Sequence, residues 1–412
     1  MSQEISDTAS TALGHLRVLE LGNDVGELCG KMLSDMGAQV VRVEPPEGAA
    51  TRRIGPFLDD EPHPERSLHF WHFNTNKRSV TLNLGTPDGR TMFGRLAERA
   101  DILVESMPPG FMKEKGLSYQ DLQEINPRLV YVSISAFGRS GPRGHLKGGD
   151  LVGWAASGYM FTTGWTWHPP TRAWGRQATH AGCLYAVSAA MAAVFRRWRT
   201  GKGQHVDISL QEAVASTVEH DVSFYVGDKV ISGRRNNEHV NGLGVAKVVA
   251  CKDGWIHLNG MGWRTGRNRI VEWMDEDKMA GDLTDEKWLD NRYHQANLDH
   301  VMELVSAWAK TKTRAEFFHK GQERGLECGP INSIPEALAD PQLRHRGYWV
   351  EVDHPELDRK ITYPGAPYQL TDTPWSIHRR APLIGEDNAE IYERELGCSK
   401  DELTDLADRG II

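Results

Sequence analysis

Leu16-Arg17-Val18-Leu19-Glu20-Leu21-Gly22 and Gly37-Ala38-Gln39-Val40-Val41-Arg42-Val43-Glu44 decide the fold of this chain. Each is a short run of leucine and valine, the pattern of a strand buried in a parallel sheet. The first ends in Gly22, and residues 25–36 between the two read as a helix. Strand, helix and strand within about 30 residues make a right-handed βαβ unit. Further along, 79–84, 102–105 and 130–135 read as short strands, separated by helical patterns at 87–100 and 119–125. This alternation predicts an α/β protein with a doubly wound, Rossmann-like parallel sheet.

Beyond the sheet the character changes. Residues 184–198 are alanine-rich with apolar residues on most faces, which predicts a buried helix, and helix is expected again through 209–224. Residues 233–244 are polar and rich in Gly, Asn and Arg. Segments 248–251 and 255–258 form a hairpin, because Lys252-Asp253-Gly254 supplies the positive φ of a tight turn. Helical patterns at 267–274, 297–310 and 314–323 complete a smaller α+β unit. The expected division is therefore a disordered tail at 1–14, a large Rossmann-like domain at 15–225, a small α+β domain at 226–328 and a return segment at 329–412. The return segment contains a strand at 349–352.

Composition excludes several classes of function. The chain has 412 residues, 39% of them hydrophobic, enough for a large core and more than one domain. A net charge of -8 without a basic stripe argues against nucleic acid as a partner. The first fourteen residues read as a frayed tail without the features of a signal peptide. No apolar run reaches the ~20 residues of a membrane span. The five cysteines are odd in number and lie far apart, without a Cys-x-x-Cys pair. A reduced, cytoplasmic protein without a metal site is expected.

Thr200-Gly201-Lys202-Gly203-Gln204-His205-Val206-Asp207-Ile208-Ser209-Leu210-Gln211-Glu212-Ala213 resembles the signature of the class III CoA-transferases. That group includes the formyl-CoA, carnitine and benzylsuccinate CoA-transferases and the 2-methylacyl-CoA racemases. The likeness spans nearly the whole chain in order. It includes Phe73-Asn74-Thr75-Asn76-Lys77-Arg78-Ser79, Gly138-Arg139-Ser140-Gly141-Pro142, Cys328-Gly329-Pro330-Ile331 and Arg380-Ala381-Pro382-Leu383-Ile384-Gly385-Glu386. It implies two chains threaded through each other like linked rings. It also implies CoA and acyl-CoA as substrates, with no tightly bound cofactor. Arg42, Lys77, Arg78 and Lys147 match basic positions that the family places near CoA, whose phosphates need cations and helix N-termini.

The resemblance also exposes departures. The family carries a nucleophilic aspartate about twenty residues before the Thr-Gly. Counting back reaches Thr179, or Ala178 or His180 with one residue of slippage, and none is a carboxylate. The family's reaction runs through an aspartyl anhydride and then an aspartyl-CoA thioester, both activated acyl donors. A threonine ester is a poor donor, so this replacement removes the pathway. Asp150 matches an acidic helper position and is the substitute candidate. Gly149 replaces a racemase histidine. Ser106 stands for an asparagine and Glu114 for a CoA-contacting arginine, and a carboxylate there repels phosphate. The aromatic group Trp154, Tyr159, Phe161, Trp165, Trp167 and Trp174 reads as core packing or as an apolar wall. Arg172, Arg176, Arg234 and Arg235 are candidates to face a substrate carboxylate.

Three functions follow. The first is the non-catalytic subunit of a two-chain CoA-transferase acting on an acyl-CoA such as succinyl-CoA. Its homologous sister chain would supply the aspartate in an interlocked heterodimer or heterotetramer. The two-chain succinyl-CoA:benzylsuccinate CoA-transferase has this division. The second is an active homodimer using Asp150. The third is a non-enzymatic CoA-binding or scaffold protein.

Overall fold

A computed structural model of the chain describes residues 11–234, 238–241, 244–259 and 266–412. They form two compact units. One comprises residues up to Met160, Arg172–Ile231 and Gln342–Ile412. The other comprises Phe161–Thr171 and Ser232–Pro341.

The larger unit is built on β1 (Arg17–Leu21), β2 (Gln39–Glu44), β3 (Arg78–Thr81), β4 (Ile102–Glu105), β5 (Val130–Ser135) and β6 (Gln204–Ser209). They lie in the order β3-β2-β1-β4-β5-β6, every pair parallel. This is the doubly wound order, with its switch point between β1 and β4. Alternation along each strand sends side chains to two cores. Leu19, Val41, Leu103 and Tyr131 pack on one face with Phe93 and Leu122. On the other face Val18, Val40, Ile102, Val104 and Val132 pack with Leu33, Ala186 and Val194.

The first-core helices are α3 (Pro87–Glu98) and α5 (Tyr119–Ile125); the second-core helix after β1 is α1 (Glu27–Asp35). Between them come α2 (Leu68–Asn74) and the single turn α4 (Phe111–Glu114). Local chemistry sets the starts. Thr86 accepts a hydrogen bond from Gly89 N, with Pro87 in the first turn of α3, and Ser118 and Asp121 form a capping box on α5. After β5 come α6 (Asp150–Ala156), α7 (Tyr159–Thr162) and α8 (Gln177–Thr200). Helix α8 is 24 residues long, and half of its most apolar stretch is buried within the fold. By length and composition it is apolar enough for a membrane span, so the expectation that no segment qualifies is corrected. It stops at Gly201, whose φ of 72° suits glycine.

A continuous helix over 209–224 does not form. Gln204–Ser209 is the sixth strand, with Val206 buried between exposed His205 and Asp207. Ser209 then caps α9 (Leu210–Ala215) by accepting from Glu212 N, and α10 (Glu219–Asp228) follows after a break.

The smaller unit carries an antiparallel sheet of β7 (Glu238–Asn241), β8 (Gly244–Cys251), β9 (Gly254–Asn259) and β10 (Glu327–Pro330), in the order β10-β9-β8-β7. The expected Asp253-Gly254 hairpin joins β8 to β9. Its core gathers Trp273, Trp308 and Phe317. Because β10 pairs with β9, this unit extends to Pro341, and the return segment starts at Gln342 instead of 329. The return segment adds the hairpin β11 (Trp349–His354) and β12 (Arg359–Pro364), which packs Val352 and Tyr363 on Phe70 and Trp71. It then buries Ile391, Tyr392 and Ile411 in the first core.

Candidate functional site

The residues expected to carry the chemistry lie around two features of the larger unit: the switch point between β1 and β4, and the first turn of α8.

At the switch point the loop after β1 is tied to the end of β4. Gly22, with φ of 143°, turns so tightly against the end of β4 that a Cβ would lie 2.3 Å from Ser106 Oγ. Ser106 Oγ accepts from Asn23 N at 3.0 Å and donates to Asn23 O at 3.2 Å. Beneath it, Arg42 and Lys77 are both fully buried. Arg42 pairs with Glu20 and, at 2.7 Å, with Glu27. Lys77 Nζ donates to both Glu20 oxygens at 2.8 and 2.7 Å, to Glu27 O at 2.9 Å and to Asn74 Oδ1 at 3.0 Å. Burial acts to raise the Glu27 carboxyl, but Arg42, His69 and Lys77 outweigh it and hold it at about 2. Burial lowers Lys77, against the pull of Glu20.

Two of the four cations expected near phosphate lie in this buried network. Arg42 and Lys77 are enclosed, Arg42 paired with Glu20 and Glu27 and Lys77 with Glu20. Arg78 is turned to the return segment, pairing with Glu390 at 3.1 Å and Glu395 at 2.6 Å. Lys147 alone of the four is exposed, in the loop before α6. Glu20 and Glu27 were not singled out by the sequence. The signal was there, since a glutamate inside a buried strand needs a cation.

At the first turn of α8, Ala178 is buried against Trp154 and Val214. Thr179 is buried, and its backbone N–H donates to Asp150 Oδ1 at 3.0 Å. Asp150 opens α6, and its other oxygen lies 3.9 Å from Arg172. Four polar atoms here have no hydrogen-bond partner among the described residues: Asp150 Oδ2, Trp154 Nε1, Thr179 Oγ1 and His180 Nε2. Burial lowers His180, opposed by Asp150. Arg176, at the N-cap of α8, forms an ion pair with Asp24 in the β1–α1 loop. Asp150, Thr179, His180, Arg172 and Trp154 thus lie close to one another around the head of α8. The wider aromatic group is divided: Trp154 packs edge-on to Tyr159, Trp174 is exposed, and Trp165 stacks on Trp167 in the smaller unit. Arg234 belongs to that unit and donates to Trp165 O. Arg235 lies outside the described residues.

The architecture is a six-stranded doubly wound sheet with a small antiparallel unit and a helix whose first turn faces an acidic residue, and comparison gives it a family. The family description CoA-transferase family III matches residues 13–388, and the chain belongs to that family. It is 34% identical to the BbsE subunit of succinyl-CoA:(R)-benzylsuccinate CoA-transferase from Thauera aromatica, covering 96% of this chain and 97% of that one. It is 32% identical to formyl-CoA:oxalate CoA-transferase from Streptomyces avermitilis, covering 97% and 99%. Among solved structures, a CAIB/BAIF family protein from Brucella suis superposes with a TM-score of 0.82 at 28% identity, over 93% of this chain and 99% of that chain.

Proposed function

We propose that this chain is the non-catalytic subunit of a two-chain CoA-transferase that moves CoA from an acyl-CoA, succinyl-CoA being the favoured donor, to a carboxylic acid. One observation carries the reading: the first turn of α8 offers Ala178, Thr179 and His180, and no carboxylate, where the family's nucleophile is expected. The acid facing that turn is Asp150, whose Oδ1 is engaged as a cap. Similarity to a named subunit supports the same division of labour. So does an uncovered apolar surface: Leu184, Tyr185, Phe195 and Trp198 are exposed on α8, and no residue of α10 is buried. Surfaces of this kind mark contact with another chain. In this reading the partner is a homologous chain bearing the aspartate, and the acid acceptor is a dicarboxylate.

The second reading, a homodimer using Asp150, draws on the one oxygen of that residue left without a hydrogen-bond partner among the described residues. The two separate cleanly. The chain is purified alone and together with a homologous chain carrying aspartate at the position of Thr179. CoA transfer from succinyl-CoA to a set of dicarboxylates is then measured. The first reading expects no transfer by the chain alone, transfer by the pair, and a mixed oligomer. Transfer by the chain alone, abolished by Asp150→Ala, overturns it and establishes the second.

A further inference from the structure

After β12 the return segment runs from Gly365 to Ile377 without helix or strand, yet it is held at several points. Gly365 N donates to Tyr348 O at 2.7 Å, Gln369 Nε2 to Arg346 O at 2.8 Å and Ser376 N to Asp35 O, at the end of α1, at 3.0 Å. Asn76 Nδ2 donates to Ser376 O at 2.7 Å. Trp375 lies so close to Gly365 that a Cβ there would fall 1.9 Å from its Cη2. Only glycine lets that ring settle against the backbone.

Between this stretch and the start of β11 lies a cavity of about 500 Å³. Val350, Trp375 and Ile377 line it, and all three pack in the core that holds Phe70 and Trp71, so its apolar wall is already in place. Leu370, partly exposed, adds to that wall. The polar lining is Arg346, Gln369, Thr371 and Ser376, with no aspartate or glutamate among the lining residues. The Arg346 guanidinium and the hydroxyls of Thr371 and Ser376 have no hydrogen-bond or ion-pair partner among the described residues. Neither Asp150, Thr179 nor His180 lines this cavity.

We propose that this cavity is a binding site for a carboxylic acid with an aromatic body, its carboxylate on Arg346 and its ring against Trp375 and Leu370. A guanidinium fork takes both oxygens of a carboxylate in parallel bonds, and no acid in the cavity competes for it. A single cation balances the single charge of a carboxylate, whereas a phosphate would call for more. The indole and the aliphatic side chains suit a flat hydrocarbon ring. The volume lies within the range of about 300–1,000 Å³ found for small-molecule pockets, which are likewise mostly apolar with a few polar groups that fix orientation.

Calorimetric titration of the purified full chain with phenylacetate tests the site. The controls are 2-phenylethylamine, which has the same ring and the opposite charge, and acetate, which has the carboxylate and no ring. Phenylacetate should bind saturably, one per chain, and about tenfold or more tighter than either control. Arg346→Gln should weaken it about tenfold, the worth of one hydrogen-bonded charge contact, and Arg346→Glu should weaken it further. Arg346 is exposed and its guanidinium holds nothing in the fold, so both variants should keep the parent's melting temperature. Absence of saturation, a control that binds as tightly as phenylacetate, or binding unmoved by both substitutions would each overturn the proposal. The readout is binding to this chain alone and turns on Arg346, so its failure is separate from the failure of the transferase reading.

Discussion

Thr179 gives its backbone N–H to Asp150 Oδ1 at 3.0 Å, so the carboxylate at the head of α8 is supplied by α6. A helix N-terminus carries partial positive charge and unpaired N–H groups, and an acid placed there caps it from outside. Removing the cap by Asp150→Ala should cost about 1 kcal/mol, while Asp150→Asn, which keeps an acceptor, should cost clearly less. Urea unfolding of the two variants checks this. Equal losses would show that the charge, and not the hydrogen bond, is what matters.

Installing an acid on α8 itself should be harmful in isolation. Thr179→Asp sets a second carboxylate beside Asp150 in a buried place, and like charges there disfavour joint ionisation. The variant should lose roughly 1–3 kcal/mol at neutral pH. Adding Asp150→Asn should restore part of the loss. Thermal melts of the single and double variants at pH 7 and pH 4 decide, with the deficit of the single variant smaller at pH 4.

Helix α1 offers a substitution whose sign opposes propensity. Alanine favours a helix interior over glycine by about 1 kcal/mol. At Gly30, however, a Cβ would fall 1.6 Å from Glu20 Oε2 and 3.1 Å from Lys77 Nζ, inside the buried ion network. Gly30→Ala should therefore destabilise the chain by about 2 kcal/mol or more, since breaking a buried pair is costly. A neutral or raised melting temperature would mean that the network can shift aside.

Acid sensitivity should centre on His72. Burial drives its ring down to about 3, helped by Lys31, His180 and His69. An unfolded histidine titrates near 6.5, so between those values the unfolded chain binds the extra proton. The stability is complete above pH 6.5 and is lost as pH falls toward 3. From pH 6.5 to 5 the loss should be roughly 2 kcal/mol. Melting temperature followed against pH should flatten over that interval in His72→Leu.

Much of the fold was legible because periodicity and turn chemistry act locally. The runs 102–105 and 130–135 became strands with those bounds, and Asp253-Gly254 turned its hairpin. β6 escapes a reading of the sequence because His205-Val206-Asp207-Ile208 is short and polar on one face, and only pairing with β5 makes it a strand. The site was less legible. That Asp150 and Thr179 are neighbours could be inferred by resemblance, but the burial of Arg42 and Lys77 could not. A basic residue at the end of a strand reads the same whether it meets a phosphate or a carboxylate. Its partners, Glu20 and Glu27, are distant in sequence and become visible only once α1 docks on β1 and β2.

The return segment carries a consequence for how the molecule is made. Ile411 is buried in the first core, and its carbonyl accepts from Asn83 N at 2.7 Å. The first core of the larger unit is therefore completed by Ile391, Tyr392 and Ile411, which follow the smaller unit in the chain, whereas the smaller unit draws its described strands from residues 238–330. Synthesis and assembly run in opposite order here. The earlier strands wait, with part of this core unfilled, for the return segment to be made.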